Sequence, residues 1–265
     1  ELSSSKLDAI SSVRPLIVWH RSAHEMYFNS VAQQKYGISR QWHNTLNEAV
    51  KKQTDFDSGH YWEQGFLAIV PLVMPLLTEP KRLQAALEFF ENYLHVAGIT
   101  LGAEPGGLLS RALQDAQNSV LSDADTPFRF YFIADGKSLV ALYDDESVIS
   151  KTESLLGWGN GMTDFLPKQV KLFADGAVFS QAMQLREDYS DGHGGEWMMD
   201  LDVFARAFQM YWDSDYQIHV HVNGDKGLDM VLDQLENNLK RNPRIDHRTV
   251  LIHFAVSQPD QIDRI

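Results

Sequence analysis

Residues 217–240 read QIHVHVNGDKGLDMVLDQLENNLK, and the fold class is decided there. The first six residues form an apolar strand pattern carrying His219 and His221 on one face, because strand side chains alternate. Asn223-Gly224 is a turn pair. From residue 225 to 240, Leu228, Leu232, Leu235 and Leu239 recur at helical spacing and mark one buried stripe. Strand, turn and helix in that order make one βα unit.

The same rhythm extends to both sides. Residues 128–134 (FRFYFIA) end at Asp135-Gly136, residues 170–174 (VKLFA) end at Asp175-Gly176, and residues 250–255 (VLIHFA) end near Ser257. Each has a helical pattern after it. Upstream, residues 80–97 read as a helix with Leu83, Ala86, Leu87, Phe90 and Leu94 on one face, Thr78 able to cap it and Gly98 following. A short apolar piece, residues 98–101, leads to Glu104-Pro105-Gly106-Gly107, which reads as a turn, and a helix is expected over 108–117. Repeated βα units predict an α/β protein with a parallel sheet. The first 80 residues lack this rhythm and read as an inserted or flanking subdomain, leaving 81–265 as the barrel-type region.

Composition narrows the function classes. The 265 residues are 44% hydrophobic and 22% charged, enough apolar mass for a large core. The net charge of −13 repels phosphate backbones, so no nucleic-acid partner is expected. No cysteine is present, which removes disulfides and thiolate metal sites. The longest apolar run, residues 66–77, is interrupted by Pro71 and Pro75 and is too short to span a bilayer, so no membrane partner is expected. The compartment is unreadable.

The polar residues within the strands carry the chemistry. A lysine in an apolar strand, Lys171, is costly to bury with its charge. Its alternative place is the strand's first turn with the amine in solvent. His221 and His253 lie on successive βα units, and two such histidines can converge on one metal ion. Each can equally be a hydrogen-bonded core residue.

Together these segments resemble the amidohydrolase superfamily, in particular its family 3 branch of N-substituted formamide deformylases and exoenzyme-regulatory-type proteins. The resemblance rests on Val170-Lys171-Leu172-Phe173-Ala174-Asp175-Gly176, His221-Val222-Asn223-Gly224-Asp225 and Arg248-Thr249-Val250-Leu251-Ile252-His253. Upstream it rests on Arg21-Ser22-Ala23-His24-Glu25-Met26-Tyr27-Phe28-Asn29-Ser30 and on Gly98-Ile99-Thr100. It implies a metal-dependent hydrolase-type distorted (β/α)8 TIM barrel, of which this chain holds about strands two to six. It implies one or two divalent metal ions, zinc foremost, and a small-molecule substrate hydrolysed at a non-peptide C–N bond by a metal-activated water. Lys171 matches the lysine that becomes a carboxylated, metal-bridging ligand, and His221 and His253 match further metal ligands. His24, Asn29 and Tyr189 match segments bordering the substrate pocket, with loop-locking the alternative role for His24 and Asn29.

The sequence also departs from the family pattern. No HxH pair precedes Lys171, and no general-base aspartate follows His253, so the chain reads as an internal piece, inactive alone. Its metal site is expected weak or empty, with Lys171 unmodified and either depressed in pKa by burial or paired with an acid such as Asp175. Strand edges left without partners would favour a homodimer. The alternative function is a non-catalytic small-molecule-binding or regulatory domain that keeps the barrel.

Overall fold

The computed structural model describes residues 2–265. The chain divides into two compact units. One comprises residues 2–79 together with Ala177–Ala182, and the other comprises Pro80–Gly176 and Met183–Ile265. The boundary near residue 80 therefore carries an exception, a six-residue loop from far downstream that belongs with the N-terminal unit.

In the N-terminal unit, α1 (Ser4–Ile10) precedes β1 (Ile17–Trp19) and β2 (Glu25–Phe28). Three short helices follow, α2 (Ser30–Lys35), α3 (Arg40–Thr45) and α4 (Glu48–Lys51), then β3 (Thr54–Asp55), β4 (His60–Trp62) and the long α5 (Glu63–Leu77). The strands form an antiparallel sheet in the order β1-β2-β4-β3. Met26, Phe28 and Tyr61 from the sheet and Phe66, Ile69 and Val73 from α5 make its core. The apolar run broken by Pro71 and Pro75 is thus one helix with both prolines inside it, on exposed positions. Thr78 caps the end of α5, donating its hydroxyl to the Met74 carbonyl, rather than starting the next helix.

The second unit begins with α6 (Pro80–Val96), β5 (Leu101–Pro105), α7 (Arg111–Leu121) and β6 (Arg129–Asp135). It continues through α8 (Gly136–Leu142), α9 (Val148–Ser154) and a 3-10 turn at Leu155–Trp158 into β7 (Thr163–Phe173). The remaining elements are α10 (Leu201–Asp213), β8 (Gln217–Val222), α11 (Asp225–Arg241), β9 (Val250–His253) and α12 (Pro259–Ile262). Strand β5 runs through Glu104 and Pro105, which the sequence had placed in a turn; the chain reverses only at Gly106, where φ is +80°.

All five strands are parallel and lie side by side in chain order, β5 to β9. Parallel crossovers are right-handed by rule, and ones that always step the same way put the crossover helices on one face, the winding of a (β/α) barrel rather than of a doubly wound sheet. The core agrees. Phe130, Phe132, Val170, Leu172, Ile218, Val220 and Val222 from the strands pack with Leu139, Phe204, Phe208, Tyr211, Trp212, Leu228 and Val231 from the helices. The opposite face is the one left for chemistry.

Candidate functional site

Strand register builds that face. Asp135, Lys171, His219 and Val250 align across β6 to β9. One pleat further along, Phe173, His221 and Ile252 align across β7 to β9. Alternation keeps Lys171, His219 and His221 on the face away from the helices.

Lys171 is only 2% exposed. Its ammonium lies 4.0 Å from the centre of the Phe173 ring and makes no hydrogen bond or ion pair with the described residues. Burial lowers its pKa to about 7, against a smaller upward pull from the charge of Asp135. The solvent-exposed alternative is therefore excluded. Gly106 makes room for this side chain, since a Cβ there would sit 2.7 Å from Lys171 Cγ.

His221 is buried on β8, and its ring lies edge-on to that of His253, with centroids 4.5 Å apart. Simple alternation would send His253 to the helix side, because it pairs with Val222. The left-handed backbone at His253 and Phe254, φ +74° and +48°, breaks the alternation at the strand end. Sequence spacing therefore anticipated the meeting of the two histidines, but not the backbone conformation that makes it possible. Among the described residues no third His, Cys, Asp or Glu joins a metal-holding group. The donor set is two imidazoles beside an amine that burial makes easy to deprotonate, a chemistry suited to borderline divalent cations.

His219 points to the same face but is occupied differently. Its Nε2 is hydrogen-bonded to Gln169 Oε1 at 2.9 Å, and burial together with the Lys171 charge lowers its pKa.

The acids near the lysine are not arranged as the sequence suggested. Asp175 is fully buried, and its carboxylate accepts backbone N–H groups from Gln184, Asn223 and Gly224 at 2.7–2.9 Å. It ties the ends of β7 and β8 to the following loop instead of pairing with Lys171. The acid facing the amine is Asp135, which also caps α8 through Ser138. Burial raises the pKa of Asp135, partly offset by the Ser138 hydrogen bonds. In the sequence it is marked only as one of three Asx-Gly strand ends, Asp135-Gly136, Asp175-Gly176 and Asn223-Gly224.

The residues expected at the substrate side have these places. In the N-terminal unit, His24 Nδ1 lies 2.9 Å from Glu63 Oε2. Glu63 Oε1 accepts the Ser180 hydroxyl at 2.7 Å and the Ala177 N–H at 3.3 Å. Burial pushes the Glu63 carboxyl upward, but the His24, Ser180 and Ala177 contacts outweigh it and hold the pKa below its ordinary value. Asn29 is fully buried, accepts N–H from Leu16 and Ala32, and donates to the Ser11 and Arg14 carbonyls. Both amide atoms are spent on the protein's own backbone, so nothing remains for a substrate. In the second unit, Tyr189 accepts the Met183 N–H at 3.0 Å and stacks on His193 at 4.4 Å.

A parallel sheet wound in one direction, with nitrogen donors gathered on its helix-free face, places the second unit among (β/α)-barrel folds. The chain matches the model of an amidohydrolase family over residues 3–265 and belongs to that family. It is similar to the Bacillus subtilis (strain 168) protein named "Putative amidohydrolase YtcJ", with 23% identity over 99% of this chain and 48% of that protein. Two solved structures share the fold. They are an uncharacterized metal-dependent hydrolase from Pyrococcus horikoshii OT3 (TM-score 0.63, 18% identity) and another from Pyrococcus furiosus (TM-score 0.60, 20% identity). Both are matched over the whole of this chain and over 49% and 50% of their own. The chain thus spans about half the length of the relatives it matches.

Proposed function

We propose that this chain supplies metal-ligand residues to a metal-dependent amidohydrolase acting on a non-peptide C–N bond, of amide or formamide type. The observation that carries the reading is Lys171. It is a buried amine with no acid bonded to it, on the same sheet face as His221 and one strand from the His221–His253 pair. Lys171, His221 and His253 would hold one or two divalent ions, zinc being the best match to such donors. When bound, such an ion acidifies a water molecule and polarises a carbonyl.

The protein's own contribution begins with the lysine. With a pKa near 7, a large share of Lys171 is the free amine at neutral pH. A free amine adds to the carbon of CO2 and releases a proton, giving an anionic carbamate in place of a buried cation. That product has two oxygen donors where the amine had one nitrogen. His221 and His253 add neutral nitrogens. Among the described residues no third imidazole or carboxylate completes a metal-holding group there, and on this reading the chain binds an ion weakly and turns nothing over by itself.

Two measurements test the proposal. Cobalt(II) added to the chain is expected to give visible absorption bands of nitrogen–oxygen coordination. His221→Ala, His253→Ala and Lys171→Met should each weaken them at least tenfold in affinity. In the full-length protein, hydrolysis of N-formyl or N-acyl amines is expected to need all three residues. Unchanged cobalt binding in the three variants would overturn the ligand assignment, and turnover of esters without amides would overturn the bond assignment.

A further inference from the structure

The residue after strand β8, Asn223, is 3% exposed, and its side-chain nitrogen has two partners. Nδ2 donates to the Gly176 carbonyl at 3.0 Å and lies 2.9 Å from His221 Nε2. The backbone N–H of Asn223 is itself held by the buried carboxylate of Asp175 at 2.8 Å, and the neighbouring Gly224 N–H by the same carboxylate at 2.7 Å. Asp175 is packed from below by Gly227, where a Cβ would come within 2.9 Å of the carboxyl carbon. The Asn223 amide is therefore seated in a rigid frame.

That frame decides which way the amide faces. Turning it over would press Oδ1 against the Gly176 carbonyl oxygen, acceptor against acceptor, so the nitrogen belongs where it is. One of its hydrogens goes to the carbonyl and the other to the imidazole. The ring nitrogen it meets must then be an acceptor. In a neutral imidazole this puts the lone pair on Nε2, engaged by Asn223, and the ring proton on Nδ1.

A metal-ligating histidine has the reverse need: one lone pair for the ion, and its N–H given to an acceptor that fixes the ring. We propose that Asn223 is a positioning residue that holds His221 with Nδ1 protonated and its one lone pair, on Nε2, already engaged, so that none is left for an ion. On this proposal, ion binding requires the Asn223 amide to turn over. Turned, its Oδ1 accepts a proton now on Nε2 and releases the Nδ1 lone pair. No bond is made or broken beyond the shift of one ring proton through solvent. The turn sacrifices the Nδ2–Gly176 hydrogen bond, so ion binding is coupled to the loop that leaves the lysine strand. The ion-binding half of this inference rests on the assignment of His221 as a ligand; the tautomer half does not.

The experiment therefore has two parts. In the metal-free chain, two-bond nitrogen–hydrogen correlation NMR at alkaline pH is expected to show His221 with its proton on Nδ1, and this needs no substitution. In Asn223→Asp, which offers only acceptors, the proton should move to Nε2. Cobalt(II) affinity should then rise about tenfold over wild type, since a carboxylate behind a ligating imidazole strengthens it. Asn223→Ala, which removes the engaged donor without adding charge, should bind cobalt at least as tightly as wild type. A wild-type His221 protonated on Nε2 would overturn the proposal, and so would weaker cobalt binding in both variants. If no variant binds cobalt while the tautomer results hold, the ligand assignment fails and the lock on His221 stands.

Discussion

Lys171 makes the stability of the folded protein rise with pH, as a carboxylate of lowered pKa does, but in an alkaline window. Its pKa falls from 10.5 in the unfolded chain to about 7 in the fold. Between those values the unfolded chain holds a proton that the folded one does not, so stability rises with pH across that window. Below pH 7 the full penalty applies. Lys171→Met is therefore expected to stabilise the protein at pH 7 by up to about 4 kcal/mol. The gain should shrink toward zero above pH 10, as read from urea unfolding in CO2-free buffer. A constant gain at all pH would mean that packing, not charge, sets the effect. Glu63 acts in the same direction at lower pH, as a stabilising charge where Lys171 is a penalty. Its folded pKa lies below 4.5, so its stabilisation is fully present above that value and is lost as pH falls through the folded value. Glu63→Gln should cost about 1.5–3 kcal/mol at neutral pH and give a shallower acid transition, followed by circular dichroism. Of these residues, the sequence disclosed Lys171, because a cation in an apolar strand is chemically out of place. It could not disclose Glu63, whose carboxylate meets Ala177 and Ser180 more than a hundred positions away, nor choose between Asp135 and Asp175 as the lysine's neighbour. Both are Asx-Gly strand ends, and only register across β6 and β7 distinguishes them.

At the scale of elements, what was legible followed periodicity. Strand β8 and helix α11 stand where the alternation and the leucine stripe put them, because both are governed by local spacing and a single buried face. Two elements were obscured by prolines. Strand β7 begins at Thr163, well before its apolar stretch, and Pro167 sits within an irregularity where the pairing with β6 slips. A proline costs least at such a bulge, where a ladder bond is already missing. Helix α5 runs through Pro71 and Pro75 because its buried residues, Phe66, Ile69 and Val73, lie on one side and the prolines on the other. Each proline still removes an N–H and crowds the carbonyl four residues back. Pro71→Ala restores a bond to the Leu67 carbonyl and is expected to raise stability by about 1–2 kcal/mol, measured as a higher urea midpoint at unchanged m-value. A loss of stability would show that the proline's bend is needed for α5 to reach the sheet.

For the molecule as a whole, the five-stranded sheet ends in two strands with one neighbour each, β5 and β9. Such strands carry backbone donors and acceptors that no sheet neighbour takes up, and they invite pairing between chains. The two edges differ. β9 has only four residues and turns away through the left-handed backbone at His253 and Phe254. β5 is longer and presents Leu101, 59% exposed, beside Ala103, with Pro105 alone blunting its far end. Self-association, if it occurs through the sheet, therefore begins at β5. The net charge of −13 opposes it, and that repulsion is long-range at low ionic strength and screened within about 10 Å at 0.1 M salt. Apolar and backbone contacts at an edge have no such sensitivity. Sedimentation velocity is accordingly expected to show association that grows from low to moderate salt, and Leu101→Lys should reduce it. Lysine adds attraction to an acidic partner surface while spoiling the edge, so a reduction isolates the edge contact from the general charge effect. Association unchanged by Leu101→Lys, or strongest at low salt, would place the contact elsewhere on the molecule.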